Sequence, residues 1–330
     1  RDLIVTGVQT CALPIWEGNS GFYVRGGGID QNLILLDEAP VYNASHLLGF
    51  FSIFNSEAIR DASLLKGSIP AEYGGRASSV FDIKMKEGNM KEFGVAGSVG
   101  LISSNVAVEG PFEKDRGSFI ISGRRTYADL FLAFSNKEEL KNTSLYFYDL
   151  NLKTNYRINE NNRIYLSGYF GRDNFGFNNE FGFDWGNMTG TMRWNHNFGE
   201  KLFSNTSLIF SKYSYDVNIL GDASITIGSQ IDDVNLKQDF TWYANPLNTV
   251  KFGGNVIYHN ILPGEIKASE NSGVNPETIT KRKAIEWAAY FSNSQQLTEK
   301  LKLYYGLRLA LFSNIGPGEF YEFGENGQLS

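Results

Sequence analysis

Three histidines, a run of three glycines and several adjacent acidic pairs are the residues of this 330-residue chain whose types could do chemistry. His46, His196 and His259 stand alone, with no H-x-x-x-H or H-E-x-x-H spacing and no carboxylate at a metal-ligand offset, so a catalytic or structural metal is not expected. Asp37–Glu38, Glu138–Glu139 and Asp232–Asp233 are sequence neighbours. On a strand such neighbours point to opposite faces and cannot flank one glycosidic bond, so they read as turn and loop solvation. No G-x-S-x-G elbow occurs. Gly26, Gly27 and Gly28 raise the question of a phosphate cradle, which needs glycines at fixed offsets between a strand and a helix N-terminus. Gln31 stands where the last glycine of G-x-G-x-x-G would be, and Leu33–Leu36 is short and strand-like. The glycines therefore read as a tight loop between short strands, Phe22–Arg25 and Leu33–Leu36. No enzyme and no cofactor is expected.

The elements that carry these residues are mostly β. The chain is 42% hydrophobic and 20% charged, which excludes disorder, and its 35 glycines and 14% aromatic residues favour many strands joined by wet turns. A net charge of -6 leaves no basic footprint for nucleic acid. No apolar run approaches the eighteen or so residues of a spanning helix, a test that does not see membrane barrels.

From about residue 92 the sequence alternates with period two. In "LKLYYGLRLALF" Leu301, Leu303, Tyr305, Leu307, Leu309 and Leu311 share one face, and Lys302, Gly306 and Arg308 the other. In "VNLKQDFTW" Val234, Leu236, Phe240 and Trp242 oppose Asn235, Lys237, Asp239 and Thr241, with Gln238 the exception. A sandwich and a membrane barrel both produce this pattern. The connections separate them. Short turns at Glu113–Arg116, Asn159–Asn162, Gly199–Lys201, Asn245–Asn248 and Thr298–Lys300 alternate with longer polar connections near Ala128–Thr143, Asn174–Asn187, Asn218–Gln230 and Ile261–Lys281. That is the rhythm of a transmembrane barrel, with about eleven strands between residues 92 and 313. The first two, Phe93–Gly100 and Asn105–Phe112, need a tight turn around Ile102–Ser104. Aromatic residues near segment ends (Tyr146, Phe147, Tyr148, Tyr213, Tyr215, Trp242, Tyr243) suit interface girdles.

"VTGVQTCALPI", Val5–Ile15, looks like the translation of a sequencing adapter. It holds the only cysteine, Cys11. The organisation expected is 1–15 as this artefact, 16–90 as one domain and 91–330 as a barrel half.

"YVRGGGIDQNLILLDEAPVYN" followed by "SEAIRDASLLKGSIPAEYGGRASSVFDIKMKEG" resembles the second half of the plug domain of TonB-dependent outer-membrane receptors, in the form common in Bacteroidetes. "GSFIISGRRTYADLF", "GRDNFGF" and "YGLRL" resemble the first half of that family's barrel. The resemblance implies a partial α+β plug followed by about 11 of 22 antiparallel barrel strands in the bacterial outer membrane. It implies that the chain is a fragment. It also implies active import of a scarce extracellular ligand (siderophore, vitamin, oligosaccharide or peptide) driven by the TonB–ExbB–ExbD complex through a TonB box upstream. Outer-membrane lipid and a surface lipoprotein are the further partners implied. A structural or adhesive outer-membrane protein without energy coupling is the alternative, and a soluble β-sandwich binding module a weaker third.

Site residues follow from the resemblance. Gly26–Gly28, Gly67, Gly74 and Gly75 match plug turns, Asp37 the turn after the apolar strand, and Arg25 and Arg76 plug charges able to pair with inward carboxylates of the wall. Where the family often has Asp-Gly, this chain has Asp37-Glu38-Ala39-Pro40, which predicts a broader turn. Tyr42, Asn43, Ser45 and His46 are expected in the plug loop that faces the ligand.

Overall fold

The computed structural model describes residues 12–13 and 23–316 apart from Asp222. Of the stretch Val5–Ile15, only Ala12–Leu13 falls within the described residues; Cys11 lies outside them.

A two-residue pairing of Ala12–Leu13 with Tyr23–Val24 comes before a small mixed sheet. Strand β1 (Asn32–Leu36) lies parallel to β3 (Ser79–Met85), which pairs antiparallel with β2 (Ile59–Lys66). The near-continuous apolar run of β1 fits a strand covered on both faces. Ile34, Leu36, Val41, Ile53, Ile59, Ile83 and Met85 form the core, closed on one side by Tyr169 from the large sheet. Among the described residues the only helical pieces of this unit are two 3-10 turns, Ile29–Gln31 and Leu47–Gly49.

The turn after β1 is sharper than its sequence predicts. Leu36 pairs with Ala39 and Leu35 with Pro40, so Asp37 and Glu38 alone make the hairpin. Both adopt left-handed backbone, φ 45° and 75°, the geometry of the two-residue turns that match strand twist. Pro40 takes the strand end, where no ladder donor is needed, and leaves the turn to the two acids.

Eleven antiparallel strands make the large sheet, each paired with the next in chain order. They are β4 (Gly94–Val99), β5 (Ser103–Glu113), β6 (Gly117–Thr126), β7 (Ser144–Asn159), β8 (Asn162–Phe177), β9 (Phe181–Asn197), β10 (Leu202–Ile219), β11 (Ile225–Asn245), β12 (Asn248–Ala268), β13 (Arg282–Thr298) and β14 (Leu301–Ile315). Glu277–Thr278 adds a two-residue pair to β12. The burial pattern decides between barrel and sandwich. Along β7, Asp149, Asn151, Lys153 and Asn155 are buried while Tyr148 and Leu150 are exposed. A polar inner face and an apolar outer face are what a barrel wall in lipid requires and what a sandwich forbids.

The short turns fall where the sequence puts them, but three of the four long connections shrink. β8 and β9 run on to a turn at 178–180, β10 and β11 to 220–224, and β11 and β12 are 21 residues each. At about 3.3 Å per residue such strands run about 70 Å, and with a tilt near 40° they rise about 50 Å, twice the ~25 Å apolar band. The Asn- and Gly-rich segments are therefore hairpin ends that project beyond the band. The connection 127–143 carries two short helices, Ala128–Leu132 and Glu138–Lys141, and the one after β12 a 3-10 turn, Glu270–Ser272, before the Glu277–Thr278 pair.

Phe147 and Tyr213 depart from the girdle expectation. Phe147 is fully buried and Tyr213 lines an inner cavity, whereas Trp242 and Tyr148 are exposed.

The chain leaves the small unit past Gly88, whose missing Cβ leaves room for the Phe119 carbonyl of β6. Gly88→Val should lower stability by about 1–3 kcal/mol, because backbone cannot yield as a side chain can. Gly190→Ala, which meets nothing within 4 Å, should stay within about 0.5 kcal/mol. Thermal unfolding of the two variants checks the contrast.

Candidate functional site

The small unit lies against the inner face of the wall, and buried charge joins the two. The left-handed turn throws Asp37 and Glu38 outward. Asp37 meets Lys153 of β7 at 3.0 Å, with the lysine side chain 3% exposed. Lys153 also donates to the Met85 carbonyl at 3.0 Å, and Asp37 accepts from the Met85 amide at 3.1 Å. Glu38 sits between Arg193 of β9 (3.1 Å) and Lys237 of β11 (3.4 Å), and Lys237 reaches Asp239 at 2.8 Å. Burial opposes the Glu38 carboxylate, but the two cations outweigh it and hold its pKa below the usual glutamate value. Further along, Glu72 pairs with Lys251 of β12 and Glu87 with Arg163 of β8. Arg308 of β14 donates to the carbonyls of Ala71 and Glu72.

This polarity reverses one expectation. The small unit sets four carboxylates, Asp37, Glu38, Glu72 and Glu87, against basic residues of the strands. Arg25 and Arg76 are both exposed; Arg25 lies against Gly67, and Arg76 borders the inner cavities.

The glycines divide by physical role. Gly26, Gly67 and Gly75 have φ of 77°, 75° and 81°, conformations costly for side chains. Gly27 donates to the Val24 carbonyl at 2.9 Å, and a Cβ there would lie 2.5 Å from Ser78. Gly28 opens the 3-10 turn, and Gly74 gives space to the Arg308 side chain.

Tyr42, Asn43 and Ser45 line a cavity of about 730 Å³ together with Gly28, Arg76 and Tyr213 of β10. Tyr42 donates to Asp233 of β11, which also holds His259 of β12 at 2.7 Å. Burial and the Asp233 charge keep the Tyr42 phenol protonated far above its usual range. The Asn43 carbonyl accepts from Asn187 of β9 at 2.7 Å. His46 is elsewhere: it is 1% exposed and buried against Asp149, Asp173 and Phe147 of the wall. Among the described residues no group of His, Cys, Asp and Glu has the geometry to hold a metal ion.

Sequence reasoning missed Glu38, Lys153, Arg193 and Lys237. The available signal was the polar inner register itself, Asn151-x-Lys153-x-Asn155 and Asn235-x-Lys237-x-Asp239, which lines up basic residues toward whatever fills the lumen.

Comparison with known proteins agrees with this geometry. Residues 4–80 match the model of the TonB-dependent receptor plug domain, a span that takes in Val5–Ile15. Among curated proteins none matches in sequence. The ferripyoverdine receptor of the outer membrane of Pseudomonas aeruginosa superposes with a TM-score of 0.65 at 13% identity, over 90% of this chain and 47% of the receptor. The copper transporter OprC gives 0.68 at 12%, over 91% and 50%. BauA, the ferric preacinetobactin receptor from Acinetobacter baumannii, gives 0.61 at 14%, over 90% and 54%. The chain thus spans about half the length of the solved receptors it matches. It has the plug and barrel-wall fold of TonB-dependent outer-membrane receptors.

Because the Glu38 pKa is depressed in the folded state, its contribution is complete above the ordinary glutamate value and is lost as pH falls through the depressed one. Amide protection over residues 37–42 should therefore fall in acid, and Glu38→Gln should lower it at neutral pH and flatten the acid limb. Hydrogen exchange between about pH 3 and about pH 7 measures both.

Proposed function

We propose that this chain serves TonB-dependent import of a scarce ligand across the bacterial outer membrane, its plug closing a lumen that opens under load. The observation that carries the reading is the seat itself: a small unit whose carboxylates are neutralised by cations of the surrounding wall. Such contacts hold the plug at rest, yet each exchanges readily for water once the lumen wets, so force applied to the plug can release them one after another. A solvated adhesin needs no such buried, separable interface.

In this reading the short turns face the periplasm and the projecting hairpins face outward. The cavity at Tyr42, Asn43, Ser45 and Arg76 then lies on the ligand's route, and the Gly26–Gly28, Gly67 and Gly74–Gly75 turns let the plug backbone reshape. TonB with ExbB and ExbD supplies the force, outer-membrane lipid covers Leu150, Leu166, Leu208 and Leu236, and a surface lipoprotein is the partner the projecting hairpins suit. Ferric siderophores are the first ligand class to test, since the ferripyoverdine and ferric preacinetobactin receptors have this fold.

The test is accumulation in cells producing the protein, using labelled ferric siderophores, cobalamin and oligosaccharides. At least one should accumulate, and a protonophore should cut that accumulation to background. Surface binding without accumulation, or uptake indifferent to the proton gradient, would contradict import and favour the adhesive alternative.

A further inference from the structure

We propose that His46 is a positioning residue: it clasps the plug apex to the wall through a proton held between its ring and two wall carboxylates, and so sets the loop that leaves Leu48 and Phe50 exposed. The link to import rests on the reading above; the clasp itself rests on geometry alone.

The imidazole enters the wall completely. Its Nδ1 lies 2.6 Å from Asp173, its Nε2 lies 3.4 Å from Asp149 and 3.2 Å from the Tyr169 hydroxyl, and its ring stacks on Phe147 at 4.0 Å. Arg124 of β6 binds Asp149 at 2.6 Å and donates to the Ser52 carbonyl of the same plug loop at 2.8 Å. The groups facing His46 are therefore two carboxylates on β7 and β8, one phenol on β8, and one guanidinium on β6 that is already committed to Asp149. With a neutral ring the set carries one uncompensated negative charge in a dry place, which is costly. With a protonated ring it is balanced. Burial works against the imidazolium, but the two carboxylates outweigh it and raise its pKa above the ordinary value.

Asp173 does a second job, accepting the Leu47 amide at 2.7 Å. Leu47, Leu48 and Gly49 all have positive φ, 48°, 58° and 110°, a backbone that strains the two leucines. The carboxylate that holds the proton thus also pins the start of a strained segment. That segment leaves Leu48 61% and Phe50 70% exposed. Release of the proton weakens the pin, and the strain then favours rearrangement of the tip.

A raised folded pKa means that the clasp is complete below the ordinary histidine value and is lost as pH rises through the folded one. Hydrogen exchange on the full chain in bilayers, read over residues 46–50 from about pH 6 to about pH 10 and corrected for intrinsic rates, should show protection falling by up to tenfold per pH unit beyond that point. His46→Gln should be weakly protected and flat with pH. Asp173→Asn should also be flat, because its amide oxygen still accepts the Leu47 amide while Arg124 and Asp149 balance a neutral ring. A parent profile without pH dependence, or either variant retaining the parent's profile, would overturn the clasp. Absence of import would leave this profile unchanged, and a flat parent profile would leave the import reading standing.

Discussion

The seat of the small unit depends on one electrostatic constraint: the acids of a left-handed turn, Asp37 buried and Glu38 partly buried, lie between two sheets and need cations to stay there. Asp37 and Glu38 sit in backbone that most residues avoid, and each finds its partner on the wall, Lys153 for the first, Arg193 and Lys237 for the second. A buried carboxylate left alone costs several kcal/mol, so the turn and the inner register of β7, β9 and β11 constrain one another. Apolar contact is more local: among the described residues Tyr169 joins the plug core, and Phe147 packs on His46 and Phe51. The charges set the seat.

That seat is held at two levels. Toward the short turns, Glu38 is held by cations and loses its grip when protonated; toward the projecting hairpins, the proposed His46 clasp loses its grip when deprotonated. The opposite signs make the attachment strongest in the middle of the pH range and weaker on either side. Between them Tyr42, Asp233 and His259 form a third contact beside the cavity. An interface of several separable polar contacts can open stepwise, whereas a continuous apolar interface opens as one unit.

Much of the wall was legible in the sequence, because period-two alternation and turn residues are local signals. Eleven strands and five short turns lie where the pattern puts them. The overreach came where composition was read in place of pattern: Asn174–Asn187 looks like loop, yet Phe175, Phe177, Phe181 and Phe183 continue the alternation across a three-residue turn. The Asp37–Glu38 turn is tighter than the nearby Pro40 suggests, because a strand end accommodates the proline. The seat was illegible for another reason. Nothing local connects Glu38 with Arg193, 155 residues on, so the polarity of the interface had to come from three dimensions. His46 illustrates the same gap: nothing local connects it with Asp149 or with Asp173, and only the fold shows that these carboxylates bury it against the wall.

The central claim, that buried charge seats the plug, is tested most directly by a double-mutant cycle on Asp37 and Lys153, read as plug release in urea. Lys153→Met alone should cost about 3–5 kcal/mol, because it strands the carboxylate, and adding Asp37→Asn should recover most of that loss. Additive losses, or a Lys153→Met cost below about 1 kcal/mol, would show that the pair does not hold the plug.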